Sequence, residues 1–255
     1  MSTLTLALLL TALAGLSTTV GSVLVFIVRR PGLRFMALSL GFAAGVMILV
    51  SFAELLPKGI EELGPGLGYL AFFAGLAVMF ALDIAIPHSY EGVADGDAGS
   101  SNGDSRLLRL GLFVALGIGI HNFPEGMATF AGTLADPRLG VAIAVAIAIH
   151  NIPEGLAVAA PIYAATGSRA KAFWWSFASG LAEPLGAGLA AIVLLPFLHG
   201  GALAAVLAGV AGLMVFISLD ELLPAAREHG QEHLAIVGAI AGMAVMAVSL
   251  WLLTG

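Results

Sequence analysis

The sequence predicts an all-α polytopic membrane protein with eight transmembrane helices, and three observations carry that prediction. Of the 255 residues, 60% are hydrophobic and only 10% charged, with a mean hydropathy of +1.04, well away from the composition of a soluble domain. The apolar residues run in stretches of about 20, the length a helix needs to cross a hydrocarbon core of about 30 Å. Short turns rich in Gly, Pro and Arg separate most of them, so residues 1–255 read as one domain. There are no cysteines, which excludes a disulfide framework and a thiolate metal site. The net charge of −6 and the lack of a basic stripe exclude nucleic acid as a partner.

Taken in order, the spans fall at roughly 4–28, 34–56, 67–87, 106–131, 139–163, 171–195, 202–223 and 232–253, each boundary good to a few residues. The first could be mistaken for a signal peptide, but no basic residue precedes it. Arg29 and Arg30 follow it instead, so it reads as a retained helix. An even number of spans puts both termini on one side. One set of loops and flanks holds Arg29, Arg30, Arg34, Arg106, Arg109, Arg169, Lys171 and Arg227, and the other holds Lys58 and Arg138. The positive-inside rule therefore puts both termini outside. The Ala- and Gly-rich composition fits a bacterium, which makes the plasma membrane, a bacterial inner membrane, the expected location. The one long linker, residues 88–105, is rich in Gly, Ser and Asp. It reads as a flexible, solvated cytoplasmic loop, with cation collection at a pore mouth as the alternative.

A short internal echo is visible. Ser51-Phe52-Ala53-Glu54-Leu55-Leu56-Pro57 ends the second span, and Ser218-Leu219-Asp220-Glu221-Leu222-Leu223-Pro224 ends the seventh. On this topology the two run in opposite directions, the residue of an inverted repeat. Two ordinary helix ends would read the same way.

The chemistry lies in two near-identical hexapeptides on consecutive spans, His121-Asn122-Phe123-Pro124-Glu125-Gly126 and His150-Asn151-Ile152-Pro153-Glu154-Gly155. Ionisable groups at membrane depth are costly and mark an ion or substrate path. The i, i+4 spacing puts His121 with Glu125, and His150 with Glu154, on one helix face; Asn122 and Asn151 lie on adjoining strips. A third carboxylate, Glu183, sits at the middle of the sixth span, so three spans deliver His, Asn and Glu to the midplane, the usual depth of a transporter site. Pro124, Pro153 and Pro184 each remove a helix hydrogen bond and release the carbonyls of Ile120, Ile149 and Gly180. Gly126 and Gly155 allow close helix approach.

Two imidazoles with two carboxylates suit Zn²⁺. Amide oxygens with three carboxylates also suit harder ions such as Mn²⁺ or Fe²⁺. A single intramembrane His or Pro would read as a helix-to-helix donor or a kink; the duplicated motif together with Glu183 points instead to metal coordination. Glu54, Asp220 and Glu221 lie near span ends, as interface residues or as pathway positions. Met47 reads as core packing, with soft ligation as the alternative. His229 and His233 read as solvated.

At these residues the chain resembles the Zrt/Irt-like (ZIP) family of divalent-metal transporters, over its full length. Besides the two hexapeptides, Ser179-Gly180-Leu181-Ala182-Glu183-Pro184-Leu185-Gly186 and Ser39-Leu40-Gly41-Phe42-Ala43-Ala44-Gly45-Val46-Met47 match the family pattern. The resemblance implies two adjacent metal positions. One would use His121, Glu125, His150 and Glu154, with Met47 nearby, and the other Asn122, Glu125, Asn151, Glu154 and Glu183. It also implies uptake of Zn²⁺, with Fe²⁺, Mn²⁺, Co²⁺ and Cd²⁺, a homodimer in the lipid bilayer, and an elevator-like motion. The cations would be cargo, with no prosthetic group. One departure is that the linker after the third span carries only His88 where many relatives are His-rich.

Three readings rival transport: an intramembrane metalloenzyme, a passive metal channel, and a metal sensor or purely structural bundle. An intramembrane metalloprotease would place Glu beside the first His, as in His-Glu-x-x-His; here Asn follows each His and no carboxylate is left as a general base. A passive metal channel is hardly separable by sequence.

Overall fold

The computed structural model describes residues 2–27, 33–85, 101–194, 201–227 and 230–254, and every regular element among them is helical. The order is α1 (Thr3–Ile27), α2 (Leu33–Val50), α3 (Leu56–Ala85), α4 (Ser101–Ala135), α5 (Pro137–Thr166), α6 (Arg169–Gly180), α7 (Ala182–Leu189), α8 (Gly201–Ile217), α9 (Leu223–Arg227) and α10 (Glu232–Thr254). Five-residue π-helical turns follow α2 (Ser51–Leu55), α7 (Ala190–Leu194) and α8 (Ser218–Leu222). Local sequence sets several ends. Asp136 caps α5 by accepting from the Arg138 N–H at 2.8 Å, with Pro137 in the first turn, where its missing N–H costs nothing. Gly167 closes the same helix in the left-handed region (φ 61), which glycine reaches without strain.

Among the described residues, five helical stretches are long and apolar enough to cross a membrane: Thr3–Ile27, Arg34–Ile84, Pro137–Thr166, Gly201–Arg227 and Glu232–Leu252. Exposed Leu70, Phe73 and Ile84 on α3, and Trp251 and Leu252 on α10, are the outward faces such a protein turns to lipid. The chain is a multi-pass helical membrane protein.

Two expected boundaries fall differently. The second and third spans are not separated by a loop. Helix runs on from Leu33 to Ala85 and breaks at Gly64 (φ 76, ψ 163). Pro57 does not end the second span, because the π-helical turn just before it has already shifted the ladder, the Leu56 N–H bonding the Ser51 carbonyl five residues back. The 51-residue stretch 34–84 is much longer than one crossing requires. The sixth span is also divided, at Leu181, between α6 and α7. The linker 88–105 lies in part outside the described residues, and so does His229.

The helices pack as two groups. In one, α1 lies on α5, α4 on α5, and α7 on α4. In the other, α3 lies on α8 and α2 on α10. The seam runs where α2 meets α5 and α4 meets α8. Small residues set the spacing in the first group. A Cβ on Gly155 would collide with the Thr18 carbonyl of α1, and one on Gly126 with the Glu183 carbonyl of α7. Backbones that close gain dispersion contacts that lipid does not offer.

The internal echo has a backbone counterpart. Both Glu-Leu-Leu-Pro segments begin in a π-helical turn. In each, the initial serine is fully buried and its hydroxyl bonds back to a methionine carbonyl: Ser51 Oγ to Met47 O at 2.7 Å, Ser218 Oγ to Met214 O at 2.8 Å. Each turn packs on the opposite helix, the first on α8 and the second on α2.

Candidate metal centre

The centre sits inside the α1–α4–α5–α6–α7 group. Asn122, Glu125, His150, Asn151, Glu154 and Glu183 are all fully buried. Pro124 and Pro153 lie inside α4 and α5, which stay helical through both motifs. The i, i+4 register therefore survives, and each copy presents one strip of polar groups to the interior.

Glu125, His150 and Glu154 converge, each offering a ligand atom within 4.8 Å of the others. His150 Nε2 stands 3.2 Å from Oε1 and 3.3 Å from Oε2 of Glu125, so a residue from each hexapeptide meets across the α4–α5 seam. Two carboxylates and an imidazole in an apolar interior are costly without a proton or a cation between them. That donor set fits a divalent ion with nitrogen and oxygen preferences.

The amides and Glu183 form a neighbouring layer. Asn151 Nδ2 donates to the Ala14 carbonyl of α1 at 3.0 Å and to Glu183 Oε1. Asn122 Nδ2 donates to the Ser179 carbonyl of α6 at 3.2 Å. The amide oxygens of Asn122 and Asn151 are buried with no hydrogen-bond partner among the described residues. Buried polar atoms of this kind take a water or a ligand. The Gly180 carbonyl freed by Pro184 packs against Gly15 of α1.

The remaining predicted positions separate. The His121 side chain lies outside the described residues. Met47 is fully buried in the apolar core with Ile143, Ile147 and Met214. Half-buried Glu54 lines a cavity of about 270 Å³ with Lys58, Asp136, Arg138 and Leu139, away from the Glu125–His150–Glu154 trio. Asp220 is exposed and Glu221 half-buried, with the Glu221 carboxylate facing Gly117 of α4. His233 is exposed at the start of α10.

Sequence reasoning missed α1 and Ser176. The Ser176 hydroxyl donates to the carbonyls of Thr18 (3.2 Å) and Gly155 (3.4 Å), and Ser179 Oγ bonds Ser176 O at 2.8 Å. A chain of hydrogen bonds thus ties Asn122 to three other helices. The signal was legible: Ala7, Thr11, Ala14, Gly15, Thr18, Gly21 and Ser22 recur every three or four residues and are all buried, a small-residue stripe for close packing.

Buried carboxylates and an imidazole among long apolar helices are what an integral membrane protein with an ion path carries in its interior. The profile described as "ZIP Zinc transporter" matches residues 95–250. The chain is 54% identical to Zinc transporter ZupT of Chlorobium luteolum, over 100% of both chains. It is 50% identical to that of Streptococcus mutans, covering 96% of this chain and 97% of the relative, and 51% identical to that of Corynebacterium efficiens, over 98% of each. The chain belongs to the ZIP zinc transporter family. Membership in a family of transporters removes the metalloenzyme reading.

Proposed function

We propose that this protein imports Zn²⁺ into the cytoplasm through the Glu125–His150–Glu154 trio, and carries Fe²⁺, Mn²⁺, Co²⁺ and Cd²⁺ as further cargo. The observation that carries the reading is the trio itself: two hexapeptides on different helices place one imidazole and two carboxylates together in a fully buried position. His121 completes that position. Asn122, Asn151 and Glu183 form the second, harder one beside it, sharing Glu125 and Glu154. Glu54 on one face, and Asp220 with Glu221 on the other, line the approaches; Met47 packs behind.

The chain crosses the membrane eight times with both termini outside. The break at Gly64 divides residues 33–85 into the second and third crossings, and α6 with α7 makes the sixth. Residues 1–255 act as one domain, a homodimer in the bacterial inner membrane. An inside-negative potential of about 100 mV favours inward movement of a dication by about 4.6 kcal/mol, taking about 2.3 per charge. Because binding requires deprotonated ligands, metal binding releases protons.

The decisive experiment is Zn²⁺ uptake into proteoliposomes holding the purified protein, with Mn²⁺ as competitor and Glu154→Ala as control. Saturable uptake that the substitution removes is expected. Binding without uptake would refute transport, and uptake with no saturation would favour a channel.

A further inference from the structure

Nearly every fully buried hydroxyl among the described residues has a partner. Thr11, Ser51, Thr133 and Ser218 bond back one turn to a helix carbonyl; Ser22, Ser176 and Ser179 also find acceptors. Two do not: Thr18 Oγ1 and Thr129 Oγ1. Thr129 is the more informative. It is fully buried and lies four residues after Glu125 on α4, on the same face, with Cβ atoms about 5–6 Å apart at that spacing. The local acceptors of a helical threonine, here the Gly126 and Glu125 carbonyls three and four residues back, are both left untaken.

The strip that holds Thr129 faces α5 at both ends. Glu125 meets His150 there, and one turn past Thr129 a Cβ on Gly140 of α5 would collide with the Thr133 side chain. Thr129 therefore sits in the α4–α5 seam one turn from the trio. The matching position of the second hexapeptide, four residues after Glu154, is Val158, so the hydroxyl is a feature of one copy only. An unpaired buried hydroxyl costs on the order of 1–3 kcal/mol, and it is relieved by a water or a ligand.

We propose that Thr129 is a binding residue for the transported dication, its oxygen accepting a hydrogen bond from a water that the ion retains beside Glu125. This rests on the trio being the transport site. With His121 completing the trio to four protein ligands, a four-coordinate Zn²⁺ keeps no position for water, whereas a six-coordinate ion such as Mn²⁺ keeps two. Thr129 thus favours the hydrated, harder cations.

The test compares Thr129→Val, which exchanges the hydroxyl for a methyl, with Thr129→Ser, in proteoliposome uptake of Mn²⁺ and Zn²⁺ beside Glu154→Ala. The expected result is a KM for Mn²⁺ raised roughly tenfold in the Val variant, the worth of about one hydrogen bond. A smaller rise is expected for Zn²⁺, with near-native values for Ser. The metal-free Val variant should melt at or above the native temperature, since it loses an unpaired hydroxyl. Unchanged KM for both metals, with Glu154→Ala inactive, would overturn the proposal. So would a lowered melting temperature with unchanged KM, the mark of a structural hydroxyl. If Glu154→Ala still transports, the site reading itself has failed; Mn²⁺ calorimetry on the purified protein then decides Thr129, and equal affinity overturns it. Thr129→Ala is read the same way should the Val variant not insert.

Discussion

The two hexapeptides are alike in packing and unlike in chemistry. Gly126 of the first closes on the Glu183 carbonyl and Gly155 of the second on the Thr18 carbonyl. Each copy thus docks its helix onto a different neighbour through the same missing side chain. The asparagines then diverge. Asn122 donates to a backbone carbonyl, whereas Asn151 donates to a backbone carbonyl and to a carboxylate. One turn on, the first copy has Thr129 and the second Val158. The repeated motif gives a symmetric frame with asymmetric surroundings, so equivalent substitutions in the two copies should not be equivalent in effect.

The largest expected effect is Glu154→Ala, which removes a carboxylate shared by both proposed metal positions. Uptake of every metal should fall by roughly 100-fold or more, beyond the losses seen for outer-shell ligand partners. Normal flux would remove Glu154 from the site. Gly126→Ala and Gly155→Ala come next and test the symmetric half of the comparison. Each drives a methyl into a facing carbonyl, at a cost of about 1–3 kcal/mol, and the melting temperature of the purified protein should fall similarly in both. Gly188→Ala, with nothing within 4 Å of the added carbon, should be neutral. Unequal losses in the two glycine variants would break the frame symmetry.

His150→Ala tests the chemical half. Zn²⁺ uptake should drop about tenfold more than Mn²⁺ uptake, because imidazole suits zinc better than manganese; equal losses would contradict the two-position assignment. Asn151→Ala should weaken metal binding more than Asn122→Ala, since it also releases Glu183, and calorimetry on the purified variants would read the order. The smallest effect belongs to deletion of residues 91–103, after which substantial transport should persist. Complete loss in a correctly inserted protein would give the linker a role beyond tethering.

Hydropathy located the helices well where a helix is a single apolar run. The expected 139–163 lies inside α5 (Pro137–Thr166), and 232–253 nearly coincides with α10 (Glu232–Thr254). It failed where the backbone departs from the α-helix without a polar signal. Pro57 resembles a terminator, yet the π-helical turn before it lets the helix continue. The break at Leu181 lies three residues before Pro184, inside an apolar run. At the centre, spacing alone foretold that Glu125, His150 and Glu154 share an interior. The resemblance had also grouped Asn151 with Glu183, which hydrogen-bond here. Neither foretold that α1 would supply the Ala14 carbonyl, because that depends on which helices become neighbours.

The paired π-helical turns after α2 and α8 bear on descent as well as on shape. One extra residue in a helix rotates everything beyond it by about 100° relative to an unbroken helix, so drift that deleted it would misdirect Glu54 or Glu221. Here the irregularity persists at the same place in two segments whose letters have diverged, each with its serine and each with a buried methionine one turn earlier. Single-turn π-bulges are rare and frequent at functional sites. A pair of them at matching places therefore marks two segments for comparison where identity of residues alone would not.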